Sequence, residues 1–121
     1  LLHTTPKAVN SDRENTAINF AKKYGVVTVL KGAGTIIAAP NGTAYINHTG
    51  NSGMATGGSG DVLAGIIGSL LSQGANPLNA AAAGVFLHGT VGDLAAEKLG
   101  KISMLPTDMI ELLPIAYQKL L

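Results

Sequence analysis

The chain has 121 residues, of which 46% are hydrophobic and 12% charged, with a formal net charge of +1 and no cysteine. This balance excludes disorder, a disulfide framework and a thiolate metal site, and it leaves no basic patch for nucleic acid. Apolar runs are broken well short of the roughly 20 residues a membrane span needs, so no membrane partner and a cytoplasmic protein are expected.

Leu1-Leu2 at the start has neither an initiator Met nor the basic n-region of a signal peptide, which suggests a piece of a longer polypeptide. Ser11 and Glu14 form a capping-box pattern, followed by a helix predicted from Asp12 to Tyr24. Its apolar stripe is Ala17, Ile18, Phe20 and Ala21, and Gly25 is its stop. Val26 to Leu30 is apolar on both parities, which predicts a strand covered on both faces, as in a parallel sheet. Thr35 to Ala39 and Thr43 to Ile46 read as two short strands joined around Pro40-Asn41-Gly42, Asn-Gly being a strong hairpin signal. A glycine-rich loop leads into a helix from about Asp61 to Ser72, stopped by Gly74. Asn76-Pro77 starts a helix to Leu99, with Gly100 past its end. Thr107, beside Asp108, is expected to cap a last helix that Pro114 kinks or restarts. The alternation of helix, tight glycine and buried strand is that of an α/β protein. One buried strand and a hairpin are too few for the parallel sheet implied, so the chain reads as the C-terminal half of an α/β domain whose N-terminal half is missing.

The chemistry concentrates in the loop. Glycines let backbone N–H groups approach a ligand closely, and the first N–H groups of a helix lack intrahelical partners at its positive end. Gly57-Gly58-Ser59-Gly60 before Asp61 is therefore an anion cradle for a phosphate or a developing oxyanion. It is not a Walker A loop, because Ser59 stands where the lysine belongs. Nor is it the dinucleotide fingerprint, because Leu63 occupies the third glycine position. A carboxylate at Asp61 is by itself ordinary helix capping. Beside an anion cradle it makes further sense as a base that takes a proton from a hydroxyl while the amides hold phosphoryl charge, which is phosphoryl transfer to an alcohol.

The stretch Gly50-Asn51-Ser52-Gly53-Met54-Ala55-Thr56-Gly57-Gly58-Ser59-Gly60-Asp61-Val62-Leu63 resembles the signature of the ADP/ATP-dependent NAD(P)H-hydrate dehydratases of the ribokinase-like superfamily. That signature usually reads Gly-Asn-Pro-Gly-Met-Ala-Thr-Gly-Gly-Thr-Gly-Asp, so Ser52 and Ser59 are the departures. The likeness continues in Lys31-Gly32-Ala33-Gly34-Thr35, in Gly84-Val85-Phe86-Leu87-His88-Gly89 and in Thr107-Asp108-Met109-Ile110. It implies a three-layer α/β/α ribokinase-like fold, here its C-terminal part. It also implies an enzyme that phosphorylates the hydroxyl of hydrated NADH or NADPH with ATP or ADP and then loses phosphate, a metabolite repair. Asp61 would be the base and substrate contact, and Gly57 to Gly60 the anion hole, with Gly58 and Gly60 catalytic. Lys31, Gly32, Ala33, Gly34 and Thr35 would touch the nucleotide, as would the loop from Asn51 through Ser52, Gly53, Met54, Ala55 and Thr56 to Ser59 and Gly60. Mg2+ is expected with the nucleotide, and association into homo-oligomers is implied.

Without the resemblance, Lys31 to Thr35 is an ordinary turn at a strand end. His88, among Val85, Phe86 and Leu87, reads as a core histidine rather than a catalyst. His3 and His48 share no metal-ligand spacing with it. Asp93 and Glu97 read as a solvated helix face, and Met54 as packing. Two other functions are open: a ribokinase-like kinase acting on a vitamin precursor or sugar, and an inactive nucleotide-binding fragment.

Overall fold

The computed structural model describes residues 12–120. Helix α1 (Arg13–Tyr24) buries Ala17 and Ala21 and ends at Gly25, whose φ of 64° turns the chain while its N–H bonds to the Ala21 carbonyl. The expected Ser11 cap lies outside the described residues, and the Asp12 side chain at the N-cap makes no capping hydrogen bond.

Three short strands follow: β1 (Thr28–Leu30), β2 (Ile36–Ala38) and β3 (Ala44–Ile46). They form a meander in the order β1-β2-β3, antiparallel throughout, with Val29 opposite Ile37 and Ile37 opposite Tyr45. The hairpin predicted around Asn41-Gly42 is present. Asn41 Oδ1 accepts the Thr43 N–H at 2.9 Å, and the Gly42 N–H donates to the Ala39 carbonyl at 3.0 Å.

The parallel strand expected at Val26–Leu30 is corrected. β1 is shorter, half-buried and antiparallel to β2. Only Lys31 to Thr35 joins the two strands, and a parallel crossover needs a dozen residues or more. The strand buried on both faces is instead β2. Ile36 and Ala38 pack against α1, and Ile37 points to the opposite side. Helices on both faces produce the two-sided apolar pattern whatever the strand direction.

On that opposite side lie α2 (Ser59–Ser72) and α3 (Pro77–Leu99), through Leu63, Ala81 and Val85. α4 (Pro106–Leu120) packs on α3 away from the sheet. The cluster there contains Val62, Ile66, Leu87, Val91, Met104, Met109 and Leu112. The described residues thus form layers of helix, sheet and helix. Asn76 caps α3 by accepting the Asn79 N–H at 2.9 Å, with Pro77 in the first turn and Gly100 beyond the end, as predicted.

Two helix starts differ from expectation. α2 begins at Ser59, because Gly58 with φ 96° makes the turn, so Asp61 sits inside the first turn rather than at its edge. α4 begins at Pro106, and the cap comes from Asp108, whose Oδ2 accepts the Leu105 N–H at 2.8 Å, rather than from Thr107. α4 also runs through Pro114 as one helix. Pro114 and Ile110 are both exposed, so the Ile110 carbonyl that loses its partner faces water.

Candidate functional site

Two loops converge on the first turn of α2. The loop from Lys31 to Thr35 leaves β1 and is closed on itself: Thr35 Oγ1 donates to the Gly32 carbonyl at 3.0 Å and lies 3.3 Å from the Gly32 N–H. Arg13 of α1 braces it from behind. Its Nη1 reaches the carbonyls of Ala33 and Gly34 at 2.7 and 3.3 Å, and its Nη2 that of Leu30 at 3.1 Å. These carbonyl oxygens are thereby paired with a cation.

The second loop runs from Asn47 to Gly58 along the small-residue face of α3. Thr49 Oγ1 donates to the Phe86 carbonyl at 3.1 Å. The Asp93 carboxylate takes the Gly50 N–H on one oxygen and Asn51 Nδ2 on the other, each at 3.0 Å. Asn51 Oδ1 accepts the Gly53 N–H at 2.9 Å and starts a short 3-10 turn, Ser52–Met54. The loop comes so close to α3 that a Cβ on Gly89 would strike Thr49, and one on Gly92 would strike Met54.

Between the loops and α2 lies a cavity of about 850 Å³. Lys31, Gly32, Ala33, Gly34 and Thr35 line one side, and Asn51, Ser52, Met54, Ala55, Thr56, Ser59 and Gly60 the other. Twelve of the expected nucleotide residues are thus brought together. Three are not. Gly53 is buried within the 3-10 turn, where a Cβ would lie 2.7 Å from the Lys101 carbonyl. Gly57 is exposed, and Gly58 faces a second groove of about 510 Å³ between α2 and α4. Asp61 lines that second groove with Thr107, Ile110 and Tyr117. The first turn of α2 is therefore a partition, with Ser59 and Gly60 on one side and Gly58 and Asp61 on the other.

The partition is electropositive. Among the described residues, the N–H groups of Gly57, Gly58, Gly60 and Asp61 donate to no other protein group, whereas those of Ser59 and Val62 are engaged. The Lys31 ammonium lies against Gly60, within 2.7 Å of where a Cβ would stand. A cation at the positive end of a helix is a like-sign arrangement, which a bound anion would relieve.

His88 of α3 also lines the larger cavity, with Asn47, His48, Thr49 and Gly89, none of which the sequence reading assigned to the site. His88 Nε2 lies 3.2 Å from Ser59 Oγ, and both side chains are buried. Burial pushes the imidazole below its ordinary pKa, the Ser59 backbone pulls the other way, and Lys31 lowers it further. Asp93 is exposed, as expected, and in addition clamps the loop. Arg13, Asp93 and His88 were missed because their partners are distant in sequence.

A glycine-rich turn feeding a helix at the edge of an α/β/α sandwich, with a lysine against it, has the geometry of an anion cradle. The NAD(P)H-hydrate dehydratase family model matches residues 1–115, and the chain belongs to that family. It is 48% identical over 120 residues to a bifunctional NAD(P)H-hydrate repair enzyme of Moorella thermoacetica, covering 99% of this chain and 23% of that protein. The structure resembles that of an ADP/ATP-dependent NAD(P)H-hydrate dehydratase from Bacillus subtilis co-crystallized with ATP/Mg2+. The TM-score is 0.88 at 32% identity, covering 92% of this chain and 40% of that one. A ribokinase-like superfamily protein from Enterococcus faecalis matches with a TM-score of 0.72 at 38% identity, over 84% of this chain and 35% of that one. The fold is ribokinase-like, and the chain spans less than half the length of each of these relatives. Among the described residues no helix is long and apolar enough to cross a membrane.

Proposed function

We propose that this chain is the nucleotide-binding and proton-abstracting part of a ribokinase-like domain that dehydrates hydrated NADH or NADPH at the expense of ADP or ATP. The observation that carries the reading is the division of the first turn of α2 between two cavities. The nucleotide occupies the larger one, along Lys31 to Thr35 and Asn51 to Gly60. Its terminal phosphoryl group lies at the free amide of Gly60, with the Lys31 ammonium beside it, and reaches across the partition toward the free amides of Gly57 and Gly58. The hydroxyl of the hydrated nicotinamide approaches from the groove that holds Asp61. Asp61 takes the hydroxyl proton as the oxygen attacks phosphorus and the bond to the nucleotide breaks. The C–O bond then breaks with loss of inorganic phosphate, and loss of a proton from the adjacent carbon restores the reduced nicotinamide.

Each amide aimed at developing charge is worth about 10²–10³ in rate when the site excludes water. Among the described residues no group of three or more His, Cys, Asp or Glu side chains could hold a metal. Mg2+, expected with the nucleotide, is therefore not matched by a ligand set here and would be carried by phosphates and water. A cytoplasmic setting and association into homo-oligomers belong to the same proposal and rest on the family resemblance.

The test is the Asp61→Asn variant, assayed by recovery of NADH absorbance from its hydrate together with release of inorganic phosphate. Turnover is expected to fall by at least about 10²-fold while ADP binding is kept. Near-normal turnover removes Asp61 from the chemistry. In the unmodified protein, a stable phosphorylated product without phosphate release would instead identify a small-molecule kinase, and ADP binding without turnover a binding module.

A further inference from the structure

The proposed chemistry leaves one buried titratable side chain unused. His88 sits on α3 between two apolar clusters, with Val85 packed toward the sheet and Leu87 toward α4. An apolar side chain would suit that seam, and a buried imidazole is costly unless its polar atoms are bonded. Its hydrogen bond is the one to Ser59, at 3.2 Å from Nε2. Ser59 is the first residue of α2 and lines the larger cavity beside Gly60 and the Lys31 ammonium.

A hydroxyl has one proton to direct. If Ser59 donates it to Nε2, the serine lone pairs face the cavity and repel an anion there. If Nε2 carries the proton, the imidazole donates to Oγ and the serine proton is free to point into the cavity. Among the described residues Nδ1 has no hydrogen-bond partner, so no protein group there draws the proton away from Nε2. We propose that His88 is a positioning residue: its Nε2–H donates to Ser59 Oγ and turns the Ser59 hydroxyl proton toward a phosphoryl oxygen of the bound nucleotide. The inference rests on the nucleotide reading above and adds to it a third kind of donor, next to the amides and the ammonium. Burial and Lys31 both hold the imidazole in its uncharged form, so it orients the hydroxyl without adding charge to the site.

Titration calorimetry with ADP tests this on the wild-type protein and on His88→Phe, His88→Gln, Ser59→Ala and the double variant His88→Phe/Ser59→Ala. Thermal melts check that each is folded. Ser59→Ala is expected to weaken ADP about tenfold, His88→Phe by up to as much, and the double variant no further than Ser59→Ala, since His88 acts only through the Ser59 hydroxyl. His88→Gln keeps an N–H donor near the Nε2 position and is expected to restore most of the affinity. In ¹⁵N-histidine-labelled protein, ADP is expected to leave His88 neutral with its proton on Nε2. Unchanged affinity in His88→Phe, additive losses in the double variant, or a proton on Nδ1 with ADP bound would overturn the positioning role alone. Failure of the wild-type protein to bind ADP would overturn the nucleotide reading and this inference with it.

Discussion

Gly60 shows how one missing side chain is used. A Cβ there would stand 2.7 Å from the Lys31 Nζ, the far end of a flexible chain, and Gly60 is not among the glycines with positive φ. Gly60→Ala is therefore expected to leave the melting temperature near its wild-type value and to push the ammonium out of the cradle. A loss of about tenfold in ADP affinity follows from the missing charge-assisted contact, read by titration. Gly58→Ala differs, because φ 96° is strained for any residue with a Cβ. His88 makes a second residue-scale prediction, about pH. Its folded pKa lies below the ordinary value near 6.5, so the unfolded chain binds the proton more readily. Its contribution is present in full above about pH 6.5 and is lost as pH falls through that value toward the lowered folded pKa. Denaturant melts of wild type and His88→Phe from neutral to mildly acidic pH should show this slope in the wild type and a shallower one in the variant.

At the scale of elements, the site is two loops held by α1 and α3 against the first turn of α2. Arg13 on α1 fastens one loop by three carbonyls, and Asp93 on α3 fastens the other by a backbone and a side-chain donor. Asp93→Ala leaves the Gly50 N–H and Asn51 to water in place of their acceptor, at about 0.5–1.5 kcal/mol per bond. The loop then samples other arrangements. The expected result is a higher KM for nucleotide with a smaller change in kcat, and faster proteolytic cleavage between Asn47 and Gly58. Unchanged nucleotide KM would show that the clamp serves stability alone. The glycine-rich stretch was legible in the sequence because its meaning is local: consecutive glycines, a helix start, an acid in the first turn. The clamp was not, because Asp93 and Gly50 stand 43 residues apart. Four residues from Glu97 on a helix, Asp93 carries the pattern of any solvated face.

For the whole molecule, Ile37 ties the sheet to the helical layer. It is 1% exposed at the centre of the middle strand and packs with Leu63, Ala81 and Val85. Ile37→Ala is expected to cost about 2–5 kcal/mol, measured by denaturant unfolding, because the residues around it belong to two packed helices that cannot both close in. By itself the sequence determined the helices, the Asn-Gly hairpin, the glycine loop and the family, because each depends on residues close together in the chain. The tertiary structure alone decided which strands are neighbours, that the first turn of α2 faces two cavities at once, and that Arg13 and Asp93 fasten the loops of the larger one, which His88 lines. Burial pattern reports that a strand is covered without saying by what or in which direction, and a side chain's partner across the fold leaves no mark on its own neighbours in sequence.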